Sequence, residues 1–581
     1  MRDLLSRLII AGLDTNDYIN THRENVSALP NIAIAASGGG YRAMLNGAGV
    51  IEAMDSRTPN STAVGHLGGL LQSATYVAGL SGGGWLMGSL YSNNFTSVWD
   101  IVSQGTDSDS TGNVWQLGNS VFVGPESSGI QLLDSPGYYS TLLENVQAKE
   151  DAGFNTTLTD YWGQALSFQL VNASLGGPAY TFSSIARQSW FTDASVPLPF
   201  LVADERFPGD FLIPDNTTVI DINPWELGSA DPTLYAFAPL QYIGTNFTAG
   251  SPTTDQCVMG FDNVGYVMGT SSSLFNQILI AANSTNTDDQ SAFTGALLDA
   301  VTGVLGRISD GEEDIADWVN PFYGYNNDTN PSADDRQLTL VDGGEDLQNI
   351  PFHPLIQPNR NVDVIFAIDS SADTNSSYAP GTTAGNWPAG VAMIATYERS
   401  LSDIANGTAF PAVPDVQTFI NQGLNNRPTF FGCDSTNFSS SASAIPPLIV
   451  YLPNAPYVYH SNVSTFDMQY NDTERNAIIA NGYNLATQGN SSLDAQWPAC
   501  VGCAILSRSL ERTNTDVPDV CRQCFDRYCW DGSVDSAQRD YMPEYKLGAG
   551  AVVDVMSGAA GLRRSMTAAL GAAIVAVWAL L

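Results

Sequence analysis

Two glycine strings about forty residues apart constrain this chain more than any other feature. Asn31 to Ser37 reads Asn-Ile-Ala-Ile-Ala-Ala-Ser and runs into Gly38-Gly39-Gly40-Tyr41-Arg42. A short apolar run stopped by glycine predicts a buried strand. Tyr41 to Met54 then repeats apolar side chains at helical spacing, with Met44, Leu45, Val50, Ile51 and Met54. The second string, Tyr76-Val-Ala-Gly-Leu-Ser-Gly-Gly-Gly-Trp85, sets Ser81 in a Gly-x-Ser-x-Gly frame from Gly79 to Gly83. Gly84 to Tyr91 reads as the helix that follows. A strand, a tight glycine turn and a helix together form a nucleophile elbow, which exposes a serine at the end of a sheet. Leu338–Val341 and Val362–Ile368 read as two further buried strands, so the core is expected to be α/β. Residues 100–330 are rich in Asn, Asp, Ser, Thr and Gly and are expected to supply loops and a cap.

A serine hydroxyl is a weak nucleophile until a base takes its proton. The chain has four histidines, His22, His66, His353 and His460. The order Ser, Asp, His is formally open to His353 or His460, but His353 sits between two prolines and reads as structural. Asp342 is the better base. It closes the run Leu338–Val341 and is followed by Gly343-Gly344, which lets other groups approach closely. A carboxylate in a water-poor pocket has its pKa raised by burial and can act as general base. The competing reading is an ordinary turn aspartate before Gly-Gly. The triple glycine lacks the Gly-Lys-Ser/Thr of a phosphate loop and the continuation of a dinucleotide fingerprint. It suits an oxyanion hole, with two of its backbone amides each contributing about 3–4 kcal/mol. Arg42 follows directly, where a guanidinium could grip a phosphate through paired hydrogen bonds or could simply serve as a surface arginine.

The chain carries 22 basic and 59 acidic residues, a net charge of −37, and its only lysines are Lys149 and Lys546. That balance argues against nucleic acid as a partner and against electrostatic recruitment to anionic membranes. It fits work outside the cell. Glycosylation sequons point the same way, at Asn25, Asn60, Asn94, Asn155, Asn172, Asn216, Asn246, Asn283, Asn327, Asn375, Asn406, Asn437, Asn462, Asn471 and Asn490. There are seven cysteines, five of them between Cys500 and Cys529. Cys500-x-x-Cys503 and Cys521-x-x-Cys524 have zinc-ribbon spacing, but an extracellular setting favours disulfides. No signal-peptide pattern is visible at Met1. The expectation is an upstream segment that carries both the signal and an eighth cysteine. At the other end, Met566 to Leu581 is apolar, Arg563 and Arg564 precede it, and Ser557-Gly558-Ala559 lies upstream. This is the pattern of a glycolipid-anchor signal, with Ser557 as the candidate attachment residue. The expected division is a catalytic domain over 1–545 and a spacer with anchor signal over 546–581.

Ser37-Gly-Gly-Gly-Tyr-Arg42, Gly79-Leu-Ser-Gly-Gly83 and Val341-Asp-Gly-Gly344, in this order, resemble the fungal lysophospholipase/phospholipase B family. The likeness continues through Glu345-Asp-Leu-Gln-Asn-Ile-Pro351, Arg360 to Asp373 and Gly385-Asn-Trp-Pro388, and spans about residues 4 to 530. The catalytic module of cytosolic phospholipase A is a more distant likeness, and patatins share the same Ser–Asp logic. The resemblance implies a central mixed sheet flanked by helices with a cap or lid, unlike a standard α/β-hydrolase. It implies a dyad of Ser81 and Asp342, oxyanion donors at Gly38 and Gly39, and a phosphate contact at Arg42. The implied substrates are lysophospholipids and diacyl phospholipids, cleaved through an acyl-enzyme with transacylation as a side reaction. No cofactor or metal is implied. The rival expectations are a neutral-lipid carboxylesterase with a Ser-His-Asp triad and a non-catalytic cell-wall protein. The oligomeric state stays open.

Overall fold

The computed structural model describes residues 1–103, 114–121, 123–124, 135–210, 213–214, 216–274, 314–435 and 445–549. Asn283, Asn437, Ser557 and the apolar tail Met566–Leu581 lie outside these residues.

Five strands form a parallel core. In chain order they are β1 (Ile32–Ala36), β2 (Tyr76–Gly79), β3 (Leu198–Glu205), β11 (Val364–Asp369) and β13 (Leu448–Pro453). Their spatial order is β13, β11, β1, β2, β3, and β12 (Thr429–Phe431) adds an antiparallel edge beside β13. Beyond β3 the sheet turns antiparallel through β4 (Val219–Ile222), β5 (Glu226–Ser229) and β6 (Ala236–Pro239). β7 (Phe247–Thr248) and β8 (Ser251–Pro252) form a separate ribbon, and β9 (Ala316–Val319) pairs with β10 (Gln337–Asp342).

β1, β11 and β13 are buried along their whole length. That is why they read as continuous apolar runs: a parallel sheet is covered on both faces. Alternate side chains still go to opposite layers. Ile32, Ile34, Val364, Phe366, Leu448 and Val450 face the larger core. Ala33, Ala35, Ile365, Ala367, Ile449 and Tyr451 face the smaller one. The larger layer contains the helices Gly40–Met54, Ser81–Ser92, Asp472–Thr487 and Trp497–Arg512. The smaller layer contains Val391–Ser400 and Val416–Asn421.

The crossed CxxC motifs are disulfide-bonded rather than laid out for zinc. Cys500 pairs with Cys524 and Cys503 with Cys521, which ties the helix Trp497–Arg512 to Asp519–Tyr528. Cys433 pairs with Cys529, and Cys257 is free and exposed. Among the described residues no helix is long and apolar enough to cross a membrane.

Residues 100–330, expected to supply loops and a cap, also supply β3 to β6 and β9 of the sheet. β3 ends in Asp204 and Glu205, both buried. Two acids at a strand end read as a turn in sequence, whereas here they are enclosed by the sheet.

Candidate active site

β3 positions the site because two strands meet end to end along one of its edges. β2 pairs with the first half of β3, Gly79 lying opposite Leu201. β10 pairs with the second half in the opposite direction, Asp342 lying opposite Ala203. The ends of β2 and β10 are therefore two β3 residues apart, about 7 Å. Ser81 follows the end of β2 and Asp342 closes β10, so both face the gap.

The turn at Ser81 is shaped by glycines. Ser81 itself has φ 48°, the left-handed region that a non-glycine residue enters at a cost. A Cβ on Gly82 would lie 2.1 Å from the Gly40 carbonyl oxygen, and one on Gly83 would lie 2.2 Å from that of Ala36. The two glycine strings thus pack backbone to backbone. The Ser81 amide donates to the carbonyl of Ser271 at 2.8 Å, which pins the elbow from a third segment.

Asp342 is buried, and its Oδ1 accepts the Gly344 N–H at 2.9 Å. Its Oδ2 is buried with no formed hydrogen bond. Burial pushes the carboxyl from 3.8 up to about 7, against the pull of the Gly344 amide and the nearby Ser81 hydroxyl, while Asp346 pushes it further up. An unpartnered carboxylate oxygen facing a serine hydroxyl can accept a proton near neutrality.

The glycine loop departs from expectation in one respect. The Gly38 amide donates to the Asn349 carbonyl at 3.0 Å, so it is committed to holding the loop rather than free for an oxyanion. The amides that open the helix Gly40–Met54 belong to Gly39, its N-cap, and Gly40, its first residue. Such terminal amides have no partner within their own helix. Gly40 lies against Gly82, beside the serine turn.

Arg42 is fully buried. Its Nε donates to the Ser370 carbonyl and its Nη1 to the Val463 carbonyl, both at 2.8 Å. Nη2 has no partner and points at the glycine loop, where a Cβ on Gly39 would come within 2.7 Å of it. Burial lowers its pKa to about 10, Asp373 and Asp369 being among the groups that oppose the shift. The group stays cationic at neutral pH, with one fork of its donors unfilled.

His353 is elsewhere engaged. Its ring nitrogens face Asp231 at 3.0 Å and Asp221 at 3.4 Å. Burial lowers its pKa, but Asp231 and Asp221 overcome that and raise it to about 9. It is a charged strut between β4 and the segment after β10. The groups that set the Asp342 carboxyl include no histidine.

Two positioning residues escaped the sequence reading. Ser271, in a polar run with no motif, holds the Ser81 amide. Asn349 ties three loops together, donating from Nδ2 to Ser371 Oγ at 2.7 Å and to the Gly38 carbonyl at 3.3 Å. It stands in the segment Glu345 to Pro351, whose fit to the family pattern could have singled it out.

Residues 32–535 match the lysophospholipase catalytic domain. The chain is 54% identical over 583 residues to Lysophospholipase 1 of Aspergillus fumigatus, covering 100% of this chain and 87% of that protein. It is 54% identical over 552 residues to a lysophospholipase of Penicillium chrysogenum, covering 94% and 86%. Among solved structures it resembles human GIVD cytosolic phospholipase A2, with TM-score 0.58 and 17% identity, over 86% of this chain and 66% of that one. At that identity the likeness is one of fold, and it extends to the mixed sheet and its flanking helices.

Proposed function

The chain belongs to the lysophospholipase catalytic-domain family and acts as a lysophospholipase; within that activity we propose that Ser81 and Asp342 form its catalytic dyad. The observation that carries this is the unpartnered, buried Oδ2 of Asp342 at the end of β10, meeting the serine turn at the end of β2.

Ser81 Oγ attacks the ester carbonyl as its proton passes to Asp342. The oxyanion rests on the Gly39 and Gly40 amides at the helix N-terminus, where the helix dipole also favours negative charge. Arg42 Nη2 holds the head-group phosphate. The alkoxide of the glycerol leaves with the proton from Asp342, which leaves an acyl-Ser81 ester. Asp342 then takes a proton from water as the water oxygen attacks the acyl carbonyl, and it returns that proton to Ser81 Oγ as the ester bond breaks and the fatty acid leaves. A second lysophospholipid hydroxyl in place of water gives transacylation.

The protein's setting is proposed to be the cell surface, with a glycosylated body and a lipid anchor attached at Ser557. Support comes from the three disulfides and from the sequons: of the thirteen within the described residues, eleven asparagines are exposed, and these eleven are the ones proposed to carry glycans, whereas Asn462 and Asn490 are half-buried and the Asn462 amide is held by the Gly385 carbonyl. The dyad is tested with Ser81→Ala, Asp342→Asn and the double variant on lysophosphatidylcholine. Groups acting as one unit give non-additive losses, so the double variant is expected to be no slower than Ser81→Ala. A double variant slower by the product of the single losses would contradict the dyad.

A further inference from the structure

A cavity of about 440 Å³ opens among the loops that follow β11 and β13, and the chemistry proposed for the dyad makes no use of it. Its lining includes Trp387, His460, Asn462, Met542, Glu544 and Tyr545. They come from three separate stretches of sequence. Trp387 follows β11, His460 and Asn462 follow β13, and Met542 to Tyr545 lie in the chain after the last helix, Asp519–Tyr528.

The cavity is on the catalytic edge of the sheet. β1, β11 and β13 are parallel and end level with one another, Ala36 beside Ile368 and Asp369 beside Pro453. Loops that follow such ends crowd the same rim, where ligands of α/β sheets bind. The link to Arg42 runs through Val463. Val463, whose carbonyl takes Arg42 Nη1, adjoins the lining residue Asn462. Asn462 is fixed in turn, its Nδ2 donating to the Gly385 carbonyl at 3.0 Å and its carbonyl accepting from Asn386 at 3.1 Å. His460 is three residues from Val463, so that stretch of chain spans at most about 10 Å.

The lining has a recognisable chemical character. Three rings follow one another, His460 against Tyr545 with centroids 4.4 Å apart and Trp387 against His460 at 6.3 Å. A thioether and one carboxylate join them, and no lysine or arginine lines the cavity. Aromatic faces attract cations through their quadrupoles, and a quaternary ammonium, which cannot donate a hydrogen bond, is the cation such a wall suits best. Glu544 adds a full negative charge.

We propose that this cavity is the head-group subsite for a choline phospholipid, taking the trimethylammonium while Arg42 takes the adjoining phosphate. The proposal rests on the reading of Arg42 as the phosphate contact. It makes Tyr545 and Glu544 residues that determine specificity.

The test compares kcat/KM for lysophosphatidylcholine and lysophosphatidylglycerol of the same acyl chain, both below their critical micelle concentrations. Tyr545→Leu and Glu544→Gln are expected to lower the choline-to-glycerol ratio, by roughly tenfold when combined. An unchanged ratio overturns the subsite. Arg42→Met separates the two readings, because loss of the phosphate contact lowers both substrates together. Both substrates unaffected by Arg42→Met would sink the phosphate reading instead. A second measurement needs no variant: tetramethylammonium chloride is expected to raise KM for lysophosphatidylcholine above a sodium chloride control of equal strength. Equal KM values in the two salts overturn the subsite.

Discussion

Asp342→Asn should make the protein more stable and nearly inactive, and the gain should depend on pH in a defined way. Burial raises the carboxyl from 3.8 to about 7. A carboxyl raised on folding favours its protonated form in the native state, so ionisation destabilises that state as pH climbs from about 4 to about 7. Three pH units at about 1.4 kcal/mol each give a penalty of about 4 kcal/mol above pH 7 and none in acid. Asparagine has the shape of the protonated acid and avoids the penalty at every pH. At about 2 cal/mol/K of unfolding entropy per residue, the variant should melt about 3 °C higher at pH 8 and equally at pH 4. Its kcat should fall by about 10²–10⁴, the usual contribution of a general base. Thermal scans at matched rates between pH 4 and 8, paired with kcat on lysophosphatidylcholine, read both effects. Equal melting temperatures at pH 8 would refute the reasoning, because the carboxylate would then be stabilised in place rather than held poised for a proton.

His353→Gln is expected to keep kcat and lose stability, measured by denaturant unfolding and ester turnover. Its folded pKa is raised to about 9, so its contribution is complete below about 6.5 and is lost as pH rises through about 9. The deficit of the variant should therefore be largest in acid, about 3 kcal/mol. Gly82→Ala should abolish both soluble yield and activity, because its Cβ would lie 2.1 Å from the Gly40 carbonyl oxygen; wild-type expression and turnover would show that the elbow tolerates side chains. Under mild reduction, the bond Cys433–Cys529 should stabilise more than Cys503–Cys521, since it closes a loop of 96 residues against 18. Melting of the Cys433→Ser/Cys529→Ser and Cys503→Ser/Cys521→Ser variants checks the order.

The sequence made the parallel half of the sheet legible for a physical reason. Strands covered on both faces, such as Ile32–Ala36 and Val364–Asp369, are apolar without interruption. β3 was hidden because its last residues are buried acids, Asp204 and Glu205, which take hydrogen bonds from distant groups, the Asp346 amide and Ser332. Yet β3 is what brings β2 and β10 end to end. Ser81 and Asp342 could be named from local glycine chemistry and paired by family likeness, while the strand arrangement that sets β2 and β10 end to end could not be read. The oxyanion loop shows the same limit. Local sequence did not separate the three glycines and the family likeness pointed to Gly38 and Gly39, yet the Gly38 amide is claimed by Asn349, 311 residues away. The ring-lined cavity gave no signal either, since Trp387, His460 and Tyr545 come from distant stretches that only the fold brings together.

The dyad is tested most directly by labelling the intact protein with an alkyl fluorophosphonate and mapping the adduct by peptide mass spectrometry. The adduct is expected on Ser81 alone, to be absent in Ser81→Ala, to form at least about 10²-fold more slowly in Asp342→Asn, and to form at the wild-type rate in His353→Gln. A label on another residue, or an undiminished rate in Asp342→Asn, would contradict the account.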